Sequence, residues 1–199
     1  MALKVFITGA SSGIGEALAV YYAGQGATLG LAARRAEFLD GLNQRLGGQH
    51  ACYALDVCDA PALHAAAVDF MGRFGAPDII IANAGVSAGT LTEYEEDLAA
   101  FRRVMDTNVF GMAATFAPFI PAMKAAGGKK RLVGIASVAG IRGLPGAEAY
   151  SASKAAAITY LESLRLEMRP YGIKVVTIAP GYIETPMTAV NPYKMPFLL

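Results

Sequence analysis

Tryptophan is absent from the 199-residue sequence, and cysteine and histidine occur only twice each. Cys52 and Cys58 form no CxxC pair, and no Cys/His spacing suits zinc, so no metal is expected. Cys52 reads as a small hydrophobe of a buried strand. His50 and His64 stand alone, without a neighbouring carboxylate or serine motif, and read as structural or solvated. Charge is sparse as well. Charged residues are 17% of the chain, which fits buried strands and helix interfaces, and the net charge of +1 gives nucleic acid or an anionic membrane no electrostatic hold. Each apolar run is interrupted by Gly, Ser, Arg or Asp before it reaches bilayer length, so no membrane partner is expected. A first strand entered at Leu3 leaves no room for a signal peptide, and the cytoplasm is the expected compartment.

What is present is 54% hydrophobic residues arranged in alternating strand-like and helix-like stretches, without a repeat or a linker-like shift in composition. Strands are expected at Leu3–Thr8, Thr28–Ala33, Ala51–Leu55, Asp78–Ala82, Arg131–Ala136 and Ile173–Ile178. Helices are expected from Glu16, Glu37, Pro61, Glu93, Asn108 and Ala149, with Pro118 and Pro121 breaking the fifth. This rhythm suits βαβ units, hence one α/β domain over residues 1–199: a doubly wound parallel sheet with helices on both faces. Met105, Met112, Met123 and Met168 are expected to fill helix interfaces, and Lys129-Lys130-Arg131 to be a solvated turn.

The first strand–helix junction reads Thr8-Gly-Ala-Ser-Ser-Gly-Ile-Gly15. Gly9, Gly13 and Gly15, with Ser11, Ser12 and Ile14 between them, allow a tight turn whose backbone can approach a pyrophosphate at the positive end of a helix. A purely structural turn explains a lone glycine cluster equally well; the position after a first strand is what favours the dinucleotide reading. At the end of the second strand such folds usually carry an acidic residue for the adenosine ribose. This chain has Ala33 there, followed by Arg34 and Arg35. No carboxylate repels a 2′-phosphate, and guanidinium groups suit one, so NADP(H) is expected over NAD(H). The competing explanation is that both arginines merely solvate the start of the second helix.

Tyr150 and Lys154 lie one helical turn apart on the same face. An ammonium near a phenol favours the phenolate, so Lys154 is expected to lower the pKa of Tyr150 and fit it for acid–base work. Taken alone, a surface lysine beside a half-buried tyrosine is the commoner explanation of that spacing.

The glycine turn, Asn83-Ala-Gly85, Asn108, Ser137, Tyr150-x-x-x-Lys154 and Pro180-Gly181 together, in this order, resemble the short-chain dehydrogenase/reductase family over essentially the whole chain. The resemblance implies a Rossmann-type sheet and hydride transfer between a nicotinamide cofactor and a carbonyl or alcohol substrate. It implies that Ser137 hydrogen-bonds the substrate oxygen, that Tyr150 is the acid/base, and that Lys154 also holds the nicotinamide ribose. By the same resemblance Asn108 helps hold a relay water, and Asp56 contacts adenine. Asn83, Ala84 and Gly85 would lie near the adenosine ribose, with Pro180, Gly181, Ile183 and Thr185 over the nicotinamide and phosphates. It also implies a homodimer or homotetramer, through the helices at 108–126 and 149–169. Family members continue past the Pro-Gly loop, whereas this chain stops at Leu199, so a last strand is expected to be missing and Met195–Leu199 to begin a lid. Two other functions suit the same fold: a non-catalytic NADP(H) sensor or scaffold, and an epimerase or lyase.

Overall fold

A computed structural model describes residues 2–189. Six parallel strands form one sheet in the order β3-β2-β1-β4-β5-β6: β1 is Lys4–Thr8, β2 Thr28–Ala33, β3 Ala51–Ala54, β4 Ile79–Ala82, β5 Lys130–Ile135 and β6 Ile173–Ile178. The helices between them are α1 (Gly13–Gly24), α2 (Ala36–Arg45), α3 (Ala60–Phe74), α4 (Asp97–Met105), α5 (Gly111–Phe116), α6 (Ile120–Ala126) and α7 (Glu148–Met168), with a short α8 at Pro186–Ala189. The strand order reverses between β1 and β4, and in doubly wound sheets the crevice at that switch point, outside the carboxyl ends of the strands, is where ligands bind.

Strands buried on both faces need apolar side chains on both, and Val5, Phe6, Ile7, Ile79, Ile80 and Ile81 are all within 3% of full burial. Two cores result. One, beneath α1 and α2, gathers Val5, Ile7, Leu29, Leu31, Leu39 and Leu42. The other gathers Phe6, Phe70, Phe116 and Phe119 with Met112, Met123 and Met168. Its aromatic contacts are close, with Phe6 4.8 Å from Phe119 and edge-on to Phe70 at 5.6 Å between ring centroids. Gly30 is required where β2 passes this cluster, since a Cβ there would stand 2.5 Å from the Phe6 ring.

Four expectations change. Instead of a break between Met105 and Asn108, α4 runs into a π-helical turn at Asp106–Phe110 and on into α5. The whole helical course Asp97–Ala126 is long and apolar enough to span a bilayer, which the interrupting polar residues had been expected to prevent. Here that course packs Val104, Met112, Phe116 and Met123 into the protein's own core. Cys52 is only partly buried, because β3 is an edge strand. Lys130 is not solvated: its side chain is 7% exposed, and its Nζ lies 2.9 Å from Asp78 Oδ1. The proline break does occur, between Phe116 and Ile120. The described sheet ends at β6, and Met195–Leu199 lies outside the described residues.

Asp78 ties three strands at the end of the sheet opposite the cleft. Its carboxylate accepts from Lys130 and from the Lys4 backbone N–H at 2.9 Å. Burial alone would raise its pKa, but these donors outweigh burial and hold it below 3.8. Asp78→Asn leaves the Lys130 ammonium without a counter-charge and is expected to cost about 2 kcal/mol at pH 7. A carboxylate with a depressed folded pKa contributes fully above its unfolded value and loses that contribution as pH falls through the folded one. The gap between wild type and variant in urea unfolding should therefore shrink below pH 3.8; a gap independent of pH would contradict the charge pairing.

Candidate active site

The carboxyl ends of β1 and β4 are stitched together by side chains. The Thr8 hydroxyl accepts from the backbone N–H groups of Asn83 (3.2 Å) and Ala84 (3.3 Å). In return, Asn83 Nδ2 donates to the carbonyls of Thr8 (3.1 Å) and Gly9 (3.2 Å). This stitching draws the glycine turn against the Asn83-Ala-Gly85 turn so closely that side chains are excluded. A Cβ on Gly15 would sit 2.2 Å from the Gly9 carbonyl oxygen, and one on Gly9, whose φ is +67°, 2.8 Å from Ala84. Asn83 therefore acts on the turn itself, and Thr8 is the partner that sequence reading passed over.

The first turn of α1 opens into the cleft. Ser12 stands at its N-cap in an extended conformation and makes no side-chain capping bond, so its hydroxyl is not spent on the helix end. Backbone without Cβ atoms beside a helix N-terminus fits the pyrophosphate of a dinucleotide. The 180s loop folds over the same turn: the Thr185 methyl would be 3.1 Å from a Cβ on Gly13. That loop is held down where Val138 N–H donates to the Pro180 carbonyl at 3.0 Å.

At the other end of the cleft lie Ser137, Tyr150 and Lys154. Ser137 follows β5 in extended backbone, and its Oγ accepts from the Ala139 N–H at 3.1 Å. The turn after it presses on α7 at Gly140, where a Cβ would be 2.6 Å from the Lys154 carbonyl carbon; glycine is needed for that approach. Lys154 is 5% exposed, its Nζ donates to the Ile135 carbonyl at 2.9 Å, and Nζ lies 5.6 Å from the centre of the Tyr150 ring.

The electrostatics differ from expectation. Burial raises the Tyr150 pKa above its ordinary 10.0, and hydrogen bonding with Ser137 opposes that rise; Lys154 is not among the causes. Burial also lowers Lys154 itself to about 8. At pH 7 the pair is thus a neutral phenol beside an ammonium that holds its proton loosely.

Asn108 lies behind the cleft, 1% exposed, in the π-helical turn. Its Oδ1 accepts from Val86 N–H at 2.8 Å, while Nδ2 donates to the Val86 carbonyl and to Ser153 Oγ, both at 2.9 Å. With both side-chain ends committed, Asn108 binds the loop after β4 to the helix that carries Tyr150 and Lys154. Thr90, also unforeseen and 2% exposed, accepts from the Ala149 N–H at 3.2 Å in the first turn of α7, where Ala147 supplies no side-chain cap.

One cleft thus collects Gly9, Ser11, Ser12, Gly13, Ile14, Arg34, Arg35, Asp56, Asn83, Ala84, Gly85, Ser137, Tyr150, Lys154, Pro180, Gly181, Ile183 and Thr185. Of the expected residues, Gly15 and Asn108 stand outside its lining and shape it from behind. Leu55, Val57, Thr107 and Met187 line it in addition, apart from Thr107 all apolar positions that no motif marks. Arg34 and Arg35 are exposed where β2 ends at the cleft, while the Asp56 carboxylate closes a local turn by accepting from Cys58 N–H at 2.9 Å.

A lysine whose folded pKa lies below its ordinary 10.5 costs stability while charged, and that cost lifts as pH rises from about 8 to 10.5. Lys154→Met is expected to stabilise the fold at pH 7 by about 1–2 kcal/mol, allowing for the lost bond to Ile135, with the advantage fading above pH 8. Denaturant unfolding across that range checks it; a less stable variant at pH 7 would contradict it.

Comparison with known proteins agrees with this geometry. The family model for short chain dehydrogenases matches residues 3–195. An uncharacterized oxidoreductase of Myxococcus xanthus is 40% identical over 97% of this chain and 77% of its own length. A 2-dehydro-3-deoxy-L-rhamnonate dehydrogenase (NAD(+)) of a Sphingomonas species is 34% identical over 91% of this chain and 72% of its own. The crystal structure of a short-chain dehydrogenase from Streptomyces avermitilis matches with a TM-score of 0.87 at 34% identity, covering 94% of this chain and 68% of that one. The chain spans 77% of the length of the Myxococcus relative and 53% to 61% of that of several other curated relatives. With the six-stranded sheet, the glycine turn and the Ser137–Tyr150–Lys154 cluster in place, the chain belongs to the short-chain dehydrogenase/reductase family of oxidoreductases.

Proposed function

We propose that the protein is an NADP(H)-dependent carbonyl reductase, run in reverse as an alcohol dehydrogenase, with Tyr150 as its acid/base. The observation that carries this reading is the convergence of Ser137, Tyr150 and Lys154 on the cleft whose far end is the glycine turn. The bound cofactor would supply the hydride. The protein supplies the remaining parts: a Ser137 hydroxyl to orient the substrate oxygen, a Tyr150 phenol to protonate it, and a Lys154 ammonium to hold the nicotinamide ribose. With its pKa above 10.0, Tyr150 is protonated at pH 7, the form that donates in the direction of reduction.

The choice of NADP(H) is supported by the small, buried Ala33 at the end of β2 and the two exposed arginines beyond it. The Sphingomonas relative is named for NAD(+), so that preference is the part of the reading a cofactor comparison must decide. The substrate would be a small carbonyl or alcohol compound, and the cytoplasm the compartment. Self-association would use the outer faces of the α4–α5 course and α7, where Phe110 is 51% and Leu166 70% exposed; a monomeric mass by light scattering would sink that part.

Tyr150→Phe is expected to lower turnover of a ketone panel by at least 10²-fold while leaving NADPH affinity within a few-fold, since only the transferable proton is removed. Undiminished turnover would take Tyr150 out of the acid/base role. Because Tyr150 must be ionised to accept a proton, the oxidation rate with the matching alcohol should climb between pH 7 and pH 10, while reduction holds steady near neutrality. Parallel pH profiles in the two directions would contradict that assignment.

A further inference from the structure

Arg34 and Arg35 are adjacent in sequence and both line the adenosine end of the cleft, but they differ in how they are held. Among the described residues Arg34 makes no hydrogen bond or ion pair. Arg35 is gripped on two sides. Its guanidinium carbon lies 3.8 Å above the centre of the Phe38 ring, and its Nη2 reaches Ser11 Oγ at 3.5 Å, across the gap between α2 and the glycine turn. Arg35 is the N-cap residue of α2, and Phe38 is three positions further on. Side chains of a helix lean toward its N-terminus, so a residue at that spacing lies back over the cap. Phe38 is 47% exposed and belongs to neither apolar core, so burial does not account for an aromatic ring at this position.

We propose that Phe38 is the platform that aims Arg35 across the mouth of the cleft toward Ser11, and that it is a positioning residue for recognition of a 2′-phosphorylated adenosine. The proposal rests on the NADP(H) reading above. A stacked guanidinium has already given up much of its rotamer freedom, and the edge donors that Ser11 does not engage stay open while the face is occupied by the ring. An exposed cation–π contact of this kind corresponds to a few-fold change in affinity. The gain should fall on the ligand that carries the phosphate and on no other.

The test is a titration of NADPH and NADH, followed by the emission of the reduced nicotinamide, against wild type, Phe38→Leu, Phe38→Tyr, Arg35→Ala and the Arg35→Ala/Phe38→Leu double variant. Adenosine 2′-monophosphate serves as a competitor that isolates the phosphate. Phe38→Leu should raise the dissociation constants of NADPH and of the competitor about two- to five-fold and leave NADH unchanged. Phe38→Tyr, which keeps the ring, should restore both, and the double variant should be no weaker than Arg35→Ala alone. If wild type prefers NADPH and Phe38→Leu leaves the preference unchanged, the platform is overturned and the 2′-phosphate reading survives. Equal losses for NADPH and NADH would make Phe38 a structural residue and overturn the proposal as well. Wild type binding NADH as tightly as NADPH would overturn both readings.

Discussion

The site depends on the bond from Asn83 Nδ2 to the carbonyls of Thr8 and Gly9, and on its counterpart, the Thr8 hydroxyl receiving the N–H groups of Asn83 and Ala84. A parallel sheet leaves the ends of β1 and β4 free to splay where their helices depart to opposite faces. The stitching closes that gap and makes it the floor of a cleft. Once the two turns touch, Gly9 and Gly15 cannot be anything larger, and the N-terminus of α1 is presented bare. The cofactor end of the site is thus a consequence of backbone packing more than of any reactive side chain.

The chemical end is built by a second set of buried polar bonds. Asn108 links Val86 to Ser153, Thr90 caps the first turn of α7, and Lys154 binds the Ile135 carbonyl beside Ser137. These attachments come from three different segments and converge on the turn of α7 that carries Tyr150. A buried lysine with a pKa near 8 is a poor stabilising element, which fits a group kept for its chemistry at some expense to the fold.

Much of this was legible in the residues, and what was hidden has physical reasons. Strand positions were readable because β1 and β4 are buried on both faces and so are nearly continuous in Val, Ile and Phe. The motifs located the cleft because each depends on a local backbone need, such as glycine at a close approach. Long-range polar partners were not legible. Lys130 looked like one charge in a basic turn, and only the pairing of β4 with β5 brings it to Asp78. The π-helical turn was read as a helix break, since Asp106-Thr-Asn108 has weak helix propensity whether the helix stops or widens. The influence of Lys154 on Tyr150 was overestimated because helical spacing conveys proximity but not burial, and burial dominates both groups.

The central claim is that this cleft passes hydride between a nicotinamide and a carbonyl carbon, with the protein contributing the proton. The most direct test is incubation of the protein with NADPH deuterated at nicotinamide C4, on either face in separate runs, together with a panel of ketones and aldehydes. Products are then examined by mass spectrometry and NMR. The account predicts an alcohol carrying one deuterium on its carbinol carbon, from one of the two labelled cofactors only. Cofactor that binds yet transfers no label to any product, or product whose new carbinol hydrogen comes from solvent, would contradict it.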